Sequence, residues 1–260
     1  MRRAVMIVTA LIGIGAATAA YAATQPYTGS VTFAAKHVGT RSRPVPLKFT
    51  LSVKTTAPSS TRPPVQLDIK LRVYGMKVDG KDFPTCSAAK IAAAHNDTIC
   101  PPGARLATGY IHSVLGSATD FSKAGAACDP ALDVWNSGQG KQTYFFVTNT
   151  TTHACLGGAL KTGSTPPYPG TYKQRGNYFT SDVTVPKYID YPLAGLVGSL
   201  QYEHLVFTSQ TRKVGGKTLI SQASTGCRNG KRPYSITTTT TGGSVGAQHQ
   251  VSTISGSAGC

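Results

Sequence analysis

Apolar and polar residues alternate along most of the chain, which is the pattern of half-buried β-strands. Residues 45–53 (VPLKFTLSV) and 65–75 (VQLDIKLRVYG) show the alternation most clearly. Residues 54–64 between them are rich in proline and serine and predict a turn. We therefore expect these two segments to pair as antiparallel strands.

Further segments rich in threonine, valine and tyrosine predict additional strands. They are residues 29–35, 105–115, 132–136, 143–149, 154–160, 177–185, 199–209, 217–223, 234–241 and 248–254. Many short strands separated by Gly- and Pro-rich turns are typical of an antiparallel β-sandwich. The sequence thus predicts an all-β fold.

One segment predicts a helix instead. Residues 87–95 (SAAKIAAAH) consist mostly of alanine, the strongest helix former, and Ser87 is a good N-cap. We expect a single short helix over residues 87–95.

The N-terminus has the features of a secretory signal peptide: two arginines, an apolar run over residues 4–20 and a small-x-small sequence at residues 20–22. The run is too short and too rich in glycine and alanine for a membrane span. We expect cleavage after Ala22, no transmembrane segment in the mature chain, and export to the extracellular space or cell wall. Residues 23–260 are then predicted to form a single domain.

The charge balance is strongly basic. The chain has 26 Lys and Arg against 10 Asp and Glu, a formal net charge of +16. Such a balance favours anionic partners, for example an acidic polymer or glycan of the cell envelope. The basic residues occur singly or in pairs, without the run that marks a nucleic-acid-binding arm. We therefore expect no specific nucleic-acid binding.

Six cysteines follow the predicted signal peptide, and this even number indicates disulfides. A short helix and an extended return would bring Cys86 and Cys100 within the ~6 Å that a disulfide requires. The same reasoning favours local pairing of the others, although an intermolecular bridge through the last cysteine is an alternative. The preferred pairs are Cys86–Cys100, Cys128–Cys155 and Cys227–Cys260.

Three stretches carry a resemblance to a known group of proteins. They are FPTC (residues 83–86), CPPGARLATGYI (100–111) and GCRNGKRPYSITTTT (226–240), the last followed by a terminal cysteine. The chain resembles secreted actinobacterial proteins of unknown function that share these loose motifs. The resemblance implies an exported, disulfide-bonded, β-rich protein and supplies no catalytic residue.

Catalytic and metal-binding patterns are weak. His95 lies between two cysteines, but a Cys–His pair needs a free thiolate, so we interpret His95 as a surface residue near the helix end. Residues 242–246 (GGSVG) fit the nucleophile-elbow pattern, yet a strand and not a helix is predicted to follow. The histidines show no metal-binding spacing, and no Cys-x-x-Cys occurs. We predict no catalytic residue, no metal and no cofactor.

Carboxylates are scarce, with Glu203 the only glutamate. A glycosidase usually needs two carboxylates at a defined distance from each other. The residues that could in principle supply such a pair are Asp68, Asp182 and Asp190. The pattern of the sequence singles out no specific pair.

The segment 164–192 is unusually rich in tyrosine and proline. We expect its first part, residues 166–178, to be a loop on the β scaffold that binds a ligand. Tyrosine faces beside hydrogen-bond donors suit a sugar or an anionic polymer, and the alternative is that the tyrosines pack across strands. The candidate binding residues are Tyr168, Tyr172, Lys173, Arg175, Asn177 and Tyr178.

These features predict a secreted, non-catalytic structural or interaction protein of the cell surface. The first alternative is a module that binds glycan or an anionic wall polymer through the loop 166–178. A weaker alternative is a hydrolase whose site is assembled from residues far apart in the chain.

Overall fold

The computed structural model describes residues 27–34, 37–57, 62–149, 151–242 and 249–260. The predicted signal peptide and most of the GGSVG motif lie outside these residues. Strands dominate the described part, so the all-β prediction is confirmed.

The strands are β1 (Tyr27–Ala34), β2 (Val45–Pro46), β3 (Lys48–Thr55), β4 (Val65–Tyr74), β5 (Met76–Val78), β6 (Arg105–Ser117), β7 (Ala126–Cys128), β8 (Ala131–Asn136), β9 (Lys141–Val147), β10 (Tyr168–Arg175), β11 (Tyr178–Thr184), β12 (Leu196–Phe207), β13 (Thr211–Val214), β14 (Lys217–Ile220), β15 (Gln222–Ser224), β16 (Lys231–Thr241) and β17 (Gln250–Gly259). The helices are α1 (Ala88–Ala94) and α2 (Lys187–Asp190), with 3-10 turns at Pro102–Ala104 and Leu156–Gly158.

One large antiparallel sheet organises the fold. Its strands follow the order β1-β3-β12-β6-β8-β9-β10-β11-β4-β16-β17, with β7 added beside β6. Strands β12 and β4 are distant in this order yet contact each other. The sheet therefore folds over, and its two halves face each other across the core. Two small sheets, β13-β14 and β2-β15-β5, complete the described part.

Period-two alternation sets which side chains enter the core. In β3, Phe49, Leu51 and Val53 are buried while the residues between them are more exposed. Phe49 stacks on Phe207 of β12 with ring centroids 4.2 Å apart. The alternation in the sequence thus identified the inward face correctly.

The two end strands of the sheet, β1 and β17, lie close to each other. A Cβ atom on Gly29 of β1 would come within 2.8 Å of Ile236 Cδ1 and 3.2 Å of Ile254 Cδ1. Glycine is therefore needed where these side chains approach the backbone of β1.

The helix α1 covers the outer side of β8 and β9. The Ser87 side chain accepts a hydrogen bond from the Lys90 backbone amide at 3.3 Å and caps the helix. The buried Ile91 packs with Trp135 and Phe145 in a small second core. The predicted helix is confirmed, and its role is to bury an outward-facing tryptophan.

All six cysteines are paired in the structure. The Cα–Cα distances are 5.5 Å for Cys86–Cys100, 3.8 Å for Cys128–Cys155 and 6.6 Å for Cys227–Cys260. These are the three pairs that the sequence analysis preferred, each joining cysteines that are neighbours along the chain. The second disulfide fixes the turn Leu156–Gly158 beside β7.

The strand pairing differs from the expectation in one respect. β3 pairs with β1 and β12, whereas β4 pairs with β11 and β16. The predicted pairing of segments 45–53 and 65–75 is therefore wrong, because neighbours along the chain enter opposite halves of the sheet.

Two local predictions are also wrong. No strand forms over the described residues 154–160, where Leu156–Gly158 is a 3-10 turn, because the backbone is left-handed at Leu156 (φ 51°) and Gly157 (φ 63°). The expectation of a single helix fails as well, since α2 adds one helical turn after Pro186.

The prediction of a loop over residues 166–178 is wrong. Tyr168–Arg175 forms β10, which pairs with β9 and β11. Pro169 lies on the part of β10 that pairs with β9 alone, so its missing N–H is tolerated there. The proline content that suggested a loop is thus compatible with a strand.

Candidate functional site

A cavity of about 140 Å³ lies between the two halves of the large sheet. Its wall is mainly apolar, and side chains from eight strands (β3, β4, β6, β7, β9, β10, β11 and β12) contribute to it. The apolar lining includes Leu51, Ile69, Leu71, Ile111, Leu115, Tyr144, Phe146, Tyr168, Val183, Leu205 and Phe207. Such an apolar pocket with a few polar groups is the usual form of a small-molecule site.

Glu203 is the central polar residue of this cavity. It lies on β12, with the same inward orientation as Leu205, and is only 4% exposed. Its Oε2 atom has no hydrogen-bond partner among the described residues. Burial raises the pKa of Glu203 from 4.5 to about 7, because the apolar surroundings disfavour the ionised carboxyl.

Two further polar atoms in the cavity wall lack partners. Within the described part of the chain, Gln66 Nε2 and Ser199 Oγ are buried without a hydrogen bond. Buried polar groups are normally paired, so three unpaired ones in the same wall require an explanation. An external molecule with matching polar atoms would provide one.

Asp190 adds a second carboxyl to the cavity. It ends α2, is buried, and contributes to the lining. Burial raises its pKa from 3.8 to about 7. Near neutral pH, each of the two carboxyl groups in the cavity is therefore partly protonated and partly ionised.

Two tyrosine hydroxyls near the cavity, those of Tyr27 and Tyr144, are satisfied by other groups. The single O–H of Tyr27 is shared between the carbonyl oxygens of Pro64 and Leu200, each 3.1 Å from Oη. Tyr144 Oη donates to Gln142 Oε1 at 3.1 Å. These interactions position the hydroxyls within the wall and do not pair Glu203.

The Cys128–Cys155 disulfide forms part of the cavity wall. Both cysteines pack with Leu115 and with the following residues Leu156 and Leu160. The disulfide thereby holds the segment after Cys155 over one end of the cavity.

The six candidate binding residues divide between the two sides of the sheet. Tyr168 and Tyr172 are each 4% exposed and belong to the main core, so they are not available on the surface. Tyr168 stacks on Tyr144 with centroids 5.3 Å apart. The alternative of packing across strands therefore holds for both buried tyrosines.

The other four candidates lie on the outer side. Lys173 and Arg175 line a shallow groove with Lys70 and Arg72 of β4. The Asn177 Nδ2 atom donates to Tyr74 Oη at 3.3 Å. Arg72 lies over the Tyr178 ring, its Cζ atom 3.7 Å from the ring centroid. The structure thus groups the basic candidates with cations from a strand distant in sequence.

The weaker catalytic candidates do not come together. His95 is exposed at the end of α1, and both flanking cysteines are bonded to each other. Asp68 lies near Asp182 on the outer side, and burial together with Asp182 raises the pKa of Asp68. Asp190, in contrast, contributes to the cavity wall.

The sequence patterns missed an aromatic cluster on β6 and β12. Tyr110 and His112 pack beside Tyr202 and His204, with ring centroids 5.1 to 6.1 Å apart. Alternation within each strand identifies these residues as outward-facing, but only the pairing of the strands brings them together. Among the described residues, no group of three or more His, Cys, Asp or Glu is arranged to hold a metal ion.

Comparison with known proteins gives no match to a family model, a curated protein or a solved structure. Within the described residues, no helix has the length and apolar character needed to cross a membrane.

Proposed function

We propose that the protein is an exported, non-catalytic binding protein that holds a small, mainly apolar molecule in its internal cavity. The observation that carries this proposal is the buried carboxyl of Glu203 in an apolar wall, whose Oε2 atom has no hydrogen-bond partner among the described residues. An unpaired buried polar group costs folding free energy. A ligand that donates a hydrogen bond to Glu203 would recover part of that cost.

The cavity also defines the chemistry of the ligand. Cavities of about 140 Å³ accept a molecule of roughly the size of a benzene ring. The apolar wall favours a hydrocarbon body, and Glu203 favours an N–H or O–H group on it. Gln66 and Ser199 offer a second polar contact. We therefore expect a compact apolar ring or short chain that bears one hydrogen-bond donor.

Binding is better supported than hydrolysis. Among the described residues that line the cavity there is no histidine, and Ser199 Oγ has no partner. A nucleophilic serine needs a hydrogen-bonded base. A glycosidase would need Glu203 and Asp190 aligned about a polar sugar, which an apolar wall does not suit.

Export is the second part of the proposal. A predicted signal peptide precedes six cysteines that are all paired. Disulfides persist in oxidising compartments outside the cytosol. We therefore propose that the interaction role predicted from the sequence is the capture of a small molecule outside the cell.

The experiment compares two nearly isosteric probes, indole and indene, by isothermal titration calorimetry. Indole has an N–H donor and indene does not. Above about pH 8, where Glu203 is mainly ionised, we expect indole to bind about tenfold more tightly, because a hydrogen bond to a charged group contributes roughly 1.5 kcal/mol. Glu203→Met should abolish this preference while retaining the fold, since the side chains have similar volumes.

A matched pair of tryptophan variants tests the location. Leu205 lines the cavity, whereas its neighbour Val206 is 36% exposed on the other side of β12. We expect Leu205→Trp to abolish indole binding and Val206→Trp to preserve it. Equal affinity for indole and indene in the wild type, or unchanged binding in Leu205→Trp, would contradict the proposal.

A further inference from the structure

A cluster of cations occupies the outer side of three neighbouring strands, remote from the interior of the cavity. Lys173 and Arg175 of β10 and Lys70 and Arg72 of β4 line one shallow groove. Strand β11 runs between them, and its Thr180 lies opposite Lys173 on one side and Arg72 on the other. We call this surface the cationic groove.

Acidic residues neutralise only one end of the cationic groove. Asp182 forms an ion pair with Lys70 at 3.0 Å, and Asp68 lies beside this pair. In the described part of the chain, Lys173, Arg175 and Arg72 make no ion pair within 4.0 Å. The excess positive charge is therefore concentrated at the end formed by these three residues.

The geometry of the sheet spaces these charges regularly. Residues two apart on a strand are separated by about 6.7 Å, and strands β10 and β4, two positions apart, by about 9.6 Å. The charges thus lie in two short parallel rows on a pleated surface. A linear polyanion can follow such rows over several of its repeating units.

The surroundings of the charges favour a polysaccharide over other polyanions. The groove is completed by the hydroxyls of Thr171 and Thr180, and none of the large exposed apolar residues that the structure describes belongs to it. A membrane-inserting patch would require such residues. The guanidinium of Arg72 already covers one face of the Tyr178 ring, so the ring is a poor platform for stacking nucleobases.

We infer that the cationic groove binds an anionic polysaccharide, with Lys173, Arg175 and Arg72 contacting its acidic groups and the threonine hydroxyls contacting its sugar hydroxyls. This site is separate from the cavity and does not depend on the small-molecule proposal. It places polymer recognition on the β10–β11–β4 surface and not on a tyrosine-rich loop.

The test measures binding to immobilised polygalacturonate, a linear carboxylated polysaccharide, with neutral dextran as the reference surface. Lys173→Gln/Arg175→Gln is the test variant. Lys213→Gln/Lys217→Gln removes the same charge from the exposed hairpin β13–β14 and is the control. We expect about a tenfold loss of affinity in the test variant, since each exposed ion pair is worth up to roughly fivefold.

The control variant should lose no more than about twofold, the effect of net charge alone at physiological salt. An equal loss in both variants, or no binding to polygalacturonate, would overturn the inference. Single-stranded DNA and vesicles containing phosphatidylglycerol are tested in parallel. Tighter binding to either of them through Lys173 and Arg175 would equally overturn the assignment to a polysaccharide.

Discussion

Neighbouring residues of the hairpin β10–β11 have opposite surroundings. Tyr172 is buried and packs on Phe179 with centroids 5.9 Å apart. Lys173, the next residue, is exposed in the cationic groove. One short segment therefore contributes both to the core and to a candidate binding surface. Alternation along the strand decides which of its residues faces the core and which faces the groove.

The two sides of the sheet also treat carboxyl groups differently. Inside, Glu203 is surrounded by apolar side chains, and burial raises its pKa to about 7. Outside, Asp182 pairs with Lys70 at 3.0 Å, and both side chains are more than a third exposed. The buried carboxyl of Glu203 thus lowers the stability of the folded protein, whereas the carboxyl of Asp182 is stabilised by Lys70 and by contact with water.

The largest predicted difference in stability is between variants of two neighbouring residues on β10, Tyr172 and Lys173. Tyr172→Ala should lower the free energy of unfolding by roughly 3 to 5 kcal/mol, because it removes a buried aromatic ring from the core. Lys173→Ala should change it by less than about 0.5 kcal/mol, since the side chain is exposed. Urea unfolding under non-reducing conditions measures both values, and similar losses would show that the two sides are not distinct.

The inner and outer carboxyl groups should respond differently to pH. The pKa of Glu203 is raised from 4.5 to about 7 in the folded protein, so the folded state binds the proton more tightly. Stability is therefore lost as the pH rises from about 4.5 through 7, by about 3 kcal/mol for this group. Asp190, whose pKa is raised in the same way, contributes in the same direction.

Glu203→Gln should therefore gain stability relative to the wild type as the pH rises through this window. Glu203 interacts electrostatically with three tyrosines, Tyr27, Tyr144 and Tyr168, and burial raises the pKa of each, so they stay neutral throughout. Lys161 also lines the cavity. Asp182→Asn on the outer side should instead lose up to about 1 kcal/mol. If the difference in the free energy of unfolding between Glu203→Gln and the wild type were the same at every pH, the raised pKa of Glu203 would be contradicted.

The smallest expected effect lies within the cationic groove. Arg72 and Tyr178 form an exposed cation–π pair, which is worth about 0.5 to 1 kcal/mol. A double-mutant cycle with Arg72→Gln and Tyr178→Leu should give a coupling free energy of that size. A coupling near zero would show that Arg72 does not shield the ring, and would reopen the ring as a stacking surface.

Local patterns predicted which segments are strands better than how the strands associate. Alternation identified the inward residues Phe49, Leu51 and Val53 correctly, because a strand with one buried face imposes a period of two. The pairing of β3 with β1 and β12 had no comparable signal. It depends on contacts between residues far apart in the chain, which a single local pattern does not encode.

The candidate site shows the same division. Glu203 has the same parity as Leu205 and Phe207 in β12, so alternation carries a signal for its inward orientation, but our sequence-based predictions did not include it. The cavity was not predictable, because eight strands must assemble before it exists. The proline content around Tyr168 suggested a loop. Whether Pro169 is tolerated in β10 depends on which strands lie beside it, and the sequence alone does not give this information.

The close approach of β1 and β17 has a consequence for the protein in a crowded environment. An open sheet would present two end strands, each a template on which another molecule could add its own strand. Here the end strands lie close to each other, and Gly29 leaves room for Ile236 and Ile254 between them. By shielding both ends of its sheet at once, the molecule limits edge-to-edge self-association of the kind that seeds fibrils.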